Sequence, residues 1–177
     1  MGEGDPAVSR SPGRLDAIHL ASRRGMLPVA VAAARAVAGR GLVGDRYCEG
    51  AGTWSRWPGT GRAVTLIAAE VLEQLPASCR ISAAESRRNL LTRDVDLDAL
   101  LGREFRIGGA WFRGQRRCEP CAHLERLTRP GIAARLQGRG GLRADVLRSG
   151  WLRVGDAVVV GEFPVPADAN QERCNGD

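Results

Sequence analysis

Lysine is missing from this chain: all 26 basic residues are arginine, and against 20 acidic residues they leave a net charge of +6. A high-GC coding bias produces such a swap without any function. The absence still excludes one chemistry. A pyridoxal phosphate enzyme needs a lysine for its internal Schiff base, so this chain has no pyridoxal phosphate of its own. Aromatics are also scarce, with one Tyr, three Phe and four Trp. No stripe of interleaved aromatic and basic residues offers a stacking platform, so no nucleic acid partner is expected. The basic balance suits a small anion such as phosphate instead. No apolar run reaches the roughly 20 residues that span a bilayer. The nearest, PVAVAAARAVAG, is broken by Arg35, so no membrane partner is expected either. The opening MGEGDPAVSRSPGRLD lacks a basic region followed by an apolar one, which argues against a secretory signal. A cytoplasmic location follows as the expectation, with thiols kept reduced. Five cysteines, an odd number, also argue against a closed disulfide framework.

What is present reads as one globular domain, since 177 residues with 44% hydrophobic content suffice for a core without staples. Residues 1–13 and 164–177 are rich in Gly, Pro, Ser and charge and are expected to be flexible tails, with Cys174 an incidental thiol. The domain runs from 14 to 163. RLDAIHLAS reads as a first strand, and RAVTLIA as a strand leading into the helix AAEVLEQL before Pro76. DLDALLG reads as a helical turn. REFRIGGAWFRGQ alternates around Gly108-Gly109 and predicts a hairpin. From Cys121 to Leu136 one or two short helices are expected, broken at Pro130-Gly131. GLRADVLRSGWLRVGDAVVVGE supplies two or three closing strands. Short strands with few helices predict a mainly β, mostly antiparallel barrel with peripheral helices.

One stretch concentrates chemistry. RRCEPCAHLE, Arg116 to Glu125, holds two cysteines and one of only two histidines. Pro120 suits the start of a helix, which places Cys121 near a helix amino end where the dipole favours a thiolate. Arg116 and Arg117 would act in the same sense if they fold back. Three uses are open: a soft-metal ligand, disulfide exchange by the CxxC, or sulfur carriage. Structural zinc wants four ligands, and beyond Cys118, Cys121 and His123 the cysteines Cys48 and Cys79 stand alone and His19 is distant. Disulfide exchange lacks the βα rhythm of its usual fold. His123 reads as packing on its helix, with proton transfer beside the thiol as the alternative. Trp54 and Trp57, in a Gly-rich loop, either cover a pocket or pin the loop. ESRRN reads on its own as a solvated loop.

Taken in order, GLVGDRY at 41–47, GRAVTLIAAE, ESRRNLLTRDVDLDALLGREFRIG from Glu85, RCEPCAHLE, GGLRADVLRSG and LRVGDAVVV resemble the MOSC domain, named for the C-terminal domain of molybdenum cofactor sulfurase. The resemblance runs from about Arg14 to Gly161. It implies a MOSC-type closed or partly closed β-barrel of pyruvate-kinase-like form, and a role in sulfur or molybdenum chemistry. The characteristic cysteine of the family corresponds to Cys121, with Cys118 accessory. In members that hold molybdenum cofactor this cysteine ligates the metal. The RRN-LLT segment then implies a pocket for the pterin phosphate, made by Arg87, Asn89 and Thr92, with Arg88 weaker. Asp45 and Arg46 match a family signature and read equally as an ion pair that holds a turn. The sulfurase's desulfurase domain and the extra N-terminal module of amidoxime-reducing relatives have no counterpart, and before Gly13 there is no room for the latter. The expectation is therefore a stand-alone domain.

Its leading function is that Cys121 carries persulfide sulfur or ligates molybdenum cofactor, with a separate cysteine desulfurase or a molybdoenzyme as partner. An alternative is a molybdenum-dependent reductase of N-hydroxylated compounds, which needs an electron donor. A further alternative is a non-enzymatic module that binds an anion or a partner.

Overall fold

The computed structural model describes residues 12–52 and 59–164. Most of the two tails, Cys174, Trp54 and Trp57 lie outside them. The main sheet draws on β1 (Arg14–Leu20), β2 (Val29–Val31), β5 (Val64–Ala68), β6 (Leu90–Arg93), β7 (Glu104–Ile107), β8 (Ala110–Arg117), β9 (Leu142–Arg148) and β11 (Val158–Val160). Its order is β11-β7-β8-β9-β5-β6-β1-β2. A smaller sheet orders β10 (Gly150–Arg153), β3 (Ala33–Val37) and β4 (Gly41–Leu42). Three short helices, α1 (Ala69–Glu73), α2 (Ala122–Leu127) and α3 (Ile132–Leu136), complete the elements that matter here. No helix among the described residues is long and apolar enough to cross a membrane.

The period-two alternation of the strands decides which side chains go where. Leu66, Leu90, Leu142, Phe105 and Phe112 join Ala34, Ala36 and Leu152 of the smaller sheet in one buried cluster. Phe105 and Phe112 sit opposite each other in the β7–β8 hairpin with their rings stacked at 5.5 Å. The next residues along the same strands, Ile67 and Leu91, face the other way. They meet Leu72, Leu75, Ile81, Leu124, Ile132 and Leu136 in a second cluster under the helices. Each face of the main sheet is therefore covered by a different layer. The predicted hairpin, the strand-to-helix step at Ala68–Ala69 and the helix break at Pro130-Gly131 all form, the last with Gly131 left-handed at φ 84.

Among the described residues the closed barrel does not form: both sheets are open in their hydrogen-bonded order. The edge strands β2 and β11 have three residues each and do not pair with one another. What closure exists is local. Leu15 donates its N–H to the Asp156 carbonyl at 2.8 Å, and a single bridge joins Arg14 to Ala157. β2, β3, β4 and β6 are additions to the sequence reading.

Gly141, just before β9, links the fold to the cysteine segment. Its φ is +108, and a Cβ there would overlap the Leu66 carbonyl oxygen. Its own carbonyl accepts the Cys118 N–H at 2.7 Å. Gly141→Ala is expected to cost about 2 kcal/mol or more from strain and overpacking. An unchanged urea midpoint would contradict this account of the β5–β9 approach.

Candidate functional site

The site rests on the helix-facing side of the main sheet, beside the second cluster. Thr65 of β5 stands opposite Arg143 of β9 in the ladder. Asn89, just before β6, is bound to Thr65 through the backbone and through both side chains, at 2.9 to 3.1 Å. These three residues form the floor of a cavity of about 380 Å³, within the range of small-molecule sites.

The walls come from four loops. From the loop after β1 come Arg24 and Gly25, and from the turn after β4 come Arg46 and Tyr47. The turn before β6 brings Arg87 and Arg88, and the segment after β8 brings Cys118, Cys121, His123, Leu124 and Arg126. With Arg62 and Arg143, seven arginines line the cavity, and no Asp or Glu does so among the described residues. A second cavity, about 390 Å³, lies by Arg40, Glu49 and Asp145. Its mixed charges select no ligand, so the chemistry points to the arginine-lined one.

The 82–89 turn explains how the two arginines get there. Ser82 and Glu85 exchange backbone–side-chain hydrogen bonds at 2.7 and 3.2 Å, a capping-box arrangement. These bonds hold the Glu85 carboxyl below its usual range. The chain then passes through Arg87 at φ 61, a left-handed conformation uncommon for a side chain of this size. Arg87 donates to the Met26 carbonyl at 2.7 Å. Burial, and then the charge of Arg46, hold its guanidinium below the usual arginine value. Arg88 is 8% exposed and donates to three carbonyls: Gly140 at 2.9 Å, Cys118 at 3.0 Å and Ser86 at 3.1 Å. It has no carboxylate partner within 4.0 Å among the described residues. ESRRN is thus no solvated loop.

Asp45 is 1% exposed and serves the scaffold. Its carboxylate accepts from the N–H groups of Ala21 and Tyr47 and from the Asn89 amide, each at 3.1 Å. Arg46 pairs with it at 3.6 Å and lies over the Tyr47 ring, 4.9 Å from its centroid. The Asn89 side chain spends its remaining donor on the His19 carbonyl at 3.2 Å. Its capacity is used within the protein.

Cys121 is exposed and occupies the N-cap of α2, where its side chain caps nothing. Cys118 is 1% exposed. His123 is exposed and faces the cavity, contrary to the packing reading. Arg116 is absent from the lining, and Arg117 is turned away by Asp98, which accepts from it at 2.9 and 3.0 Å. Thr92 does not join the cavity either. It follows Asn89 by three residues, an odd step along the strand, so it faces the first cluster and bonds the Ile67 carbonyl at 3.4 Å. The sequence reading missed Arg24, Arg62, Thr65, Arg126 and Arg143. No group of three or more His, Cys, Asp or Glu that could hold a metal ion occurs among the described residues.

The donor set therefore suits an anionic, phosphate-bearing ligand beside a soft thiol. Guanidinium forks match phosphate oxygens, and a thiolate suits molybdenum better than a hard cation.

The MOSC domain profile matches residues 53–159. Among solved structures, the YuaD protein from Bacillus subtilis aligns at a TM-score of 0.71 and 16% identity, covering 87% of this chain and 98% of that one. YiiM from Geobacillus stearothermophilus aligns at 0.64 and 17% identity, covering 88% and 78%. YiiM from Escherichia coli aligns at 0.59 and 20%, covering 85% and 71%. At these identities the structures establish a shared fold. No curated protein gives a significant match.

An arginine cavity without carboxylates should be stabilised by anions. Pyrophosphate is expected to raise Tm above a chloride control of equal ionic strength, because it binds only the folded state. Arg88→Met should abolish most of that shift. It should also cost about 2 kcal/mol or more, by leaving three carbonyls unpaired. Equal Tm values in both salts would remove the anion site. A separate prediction concerns His19, which is 6% exposed, with Nδ1 unpartnered. Burial holds its pKa below the ordinary 6.5. The folded state thus favours neutral imidazole, and stability is full above about pH 6.5 and declines as pH falls through that value. His19→Gln should flatten this part of a urea-midpoint-against-pH curve.

Proposed function

The chain belongs to the MOSC domain family, and on that premise we propose that Cys121 carries sulfane sulfur to an anionic acceptor held by the arginine cavity. Molybdenum cofactor is the acceptor class that the family implies. The observation that carries this reading is an exposed, unengaged thiol at a cavity lined by seven arginines. A carrier must meet a donor from outside and an acceptor from within, and Cys121 has access to both.

The chemistry uses the chain's own groups in three places. Cys121, as the thiolate, attacks the outer sulfur of a persulfide on a separate cysteine desulfurase, and the donor's cysteine leaves as thiolate. His123, exposed on the first turn of α2 and lining the same cavity, would give that departing sulfur a proton. Arg87 and its neighbours fix the acceptor's phosphate and supply the charge that the scaffold leaves unbalanced. When bound, molybdenum cofactor supplies the metal centre that takes the sulfur. The same soft thiol favours a second reading, in which Cys121 is itself a molybdenum ligand.

Metal and cyanide-labile sulfur analysis of anaerobically purified protein, beside its Cys121→Ser variant, separates these readings. Labile sulfur without metal, sampled directly after loading from a persulfide donor and lacking in the folded variant, is the expected outcome. Molybdenum with pterin, lost in the variant, would favour the ligand reading. Neither species in the wild type, even when it is sampled directly after exposure to a persulfide donor, would leave a binding module.

A further inference from the structure

The second cysteine of the CEPC turn is unexplained by a carrier that needs one thiol. Cys118 has an ordinary reading as a small core residue, and its 1% exposure fits that. Its surroundings do not. Cys118 belongs to neither hydrophobic cluster and instead lines the arginine cavity together with Cys121. It is also held from two sides. Its N–H reaches the Gly141 carbonyl at 2.7 Å, and its carbonyl takes the Arg88 guanidinium at 3.0 Å. Close to it, Gly140 approaches so tightly that a Cβ would come within 2.5 Å of the Cys118 oxygen. Cys121, three residues on, is exposed at an N-cap it does not use. One thiol is thus fixed and sheltered, and the other is free to load and turn. Both are unbridged in the structure.

We infer that Cys118 is the resolving thiol of Cys121, so that a persulfide on Cys121 with no acceptor in the cavity is discharged as hydrosulfide. This rests on the carrier reading above. The Cys118 thiolate attacks Sγ of the Cys121 persulfide, and a bond forms between the two cysteine sulfurs. The bond from Cys121 Sγ to the outer sulfur breaks, and that sulfur leaves as hydrosulfide. The sulfane sulfur gains two electrons and the two cysteine thiols lose them. A cellular dithiol then reduces the disulfide and returns both cysteines. The cavity arginines favour the departing hydrosulfide anion.

The test follows mass and sulfide together. Reduced, desalted protein is exposed to glutathione persulfide, freed of excess reagent and sampled over time by intact-mass spectrometry and a sulfide assay. The wild type is expected to gain one sulfur atom, then to lose it and fall two hydrogens below the reduced mass, with equimolar sulfide released. Cys118→Ala and Cys118→Ser, checked by circular dichroism for native fold, should keep the added sulfur and release sulfide only when dithiothreitol is supplied. Cys121→Ser should gain no sulfur. If the wild type keeps its sulfur as long as Cys118→Ala does, or if that variant releases sulfide equally fast, the resolving role falls and the carrier stands. If the wild type never gains sulfur, the carrier reading itself falls and takes this one with it.

Discussion

A buried guanidinium bound to three carbonyls and, among the described residues, to no carboxylate sets the terms for this site. Taking the Arg88 charge out of water costs several kcal/mol, and carbonyl dipoles offset only part of that. Its three bonds join the Ser86 turn, the Cys118 segment and the Gly140 approach to β9. These pieces are far apart in sequence; the first two carry part of the cavity wall, and the third leads into the strand that brings Arg143 to the floor. The residual charge is therefore not a by-product of the architecture. The contact that assembles the cavity also makes it positive.

The acidic groups nearby are committed elsewhere, which keeps the field in place. Asp45 spends its carboxylate on two backbone N–H groups, the Asn89 amide and Arg46. Asp98 holds Arg117 on the outside. Within the RRN segment the labour divides. Asn89 ties β1, β5 and the Asp45 turn together, Arg88 pins three loops, and Arg87 reaches the cavity through a strained backbone. Strain of this kind persists where the surroundings over-determine it, and it gathers at functional sites.

Much of this was legible in the sequence where the cause is local. Gly108-Gly109 marks its hairpin, Pro130-Gly131 breaks a helix, and Pro120 places Cys121 at a helix start, because turn chemistry acts over a few residues. The central strand of the smaller sheet was hidden, since Ala33–Val37 is mostly alanine and gives little alternation of size or polarity to read. Closure of the barrel depends on whether two edge strands meet, which no local pattern encodes. The cavity arginines divide the same way. Alternation in LRADVLR turns Arg143 away from the core, but only the β5–β9 register puts it beside Thr65. In a chain whose basic residues are all arginine, composition cannot single out the seven that converge.

The cavity exists because the helix layer covers only part of its sheet face. On that face the strands pass from a polar row, Asn89, Thr65 and Arg143, to an apolar one containing Ile67 and Leu91. Helices pack where the row is apolar and stop where it turns polar, since guanidinium and amide groups offer them no hydrophobic gain. α2 lies on the boundary. Leu124 belongs to the second cluster and also borders the cavity, while His123 and Arg126 of the same short helix line it. Burial of Leu124 therefore fixes where the N-cap lies, and with it Cys121. An exposed thiol needs positioning without being buried, and anchoring the helix one turn further along supplies it. The position of Cys121 is thus set by a hydrophobic contact of Leu124, and the field around it by a polar one of Arg88. Each can be perturbed without touching the sulfur.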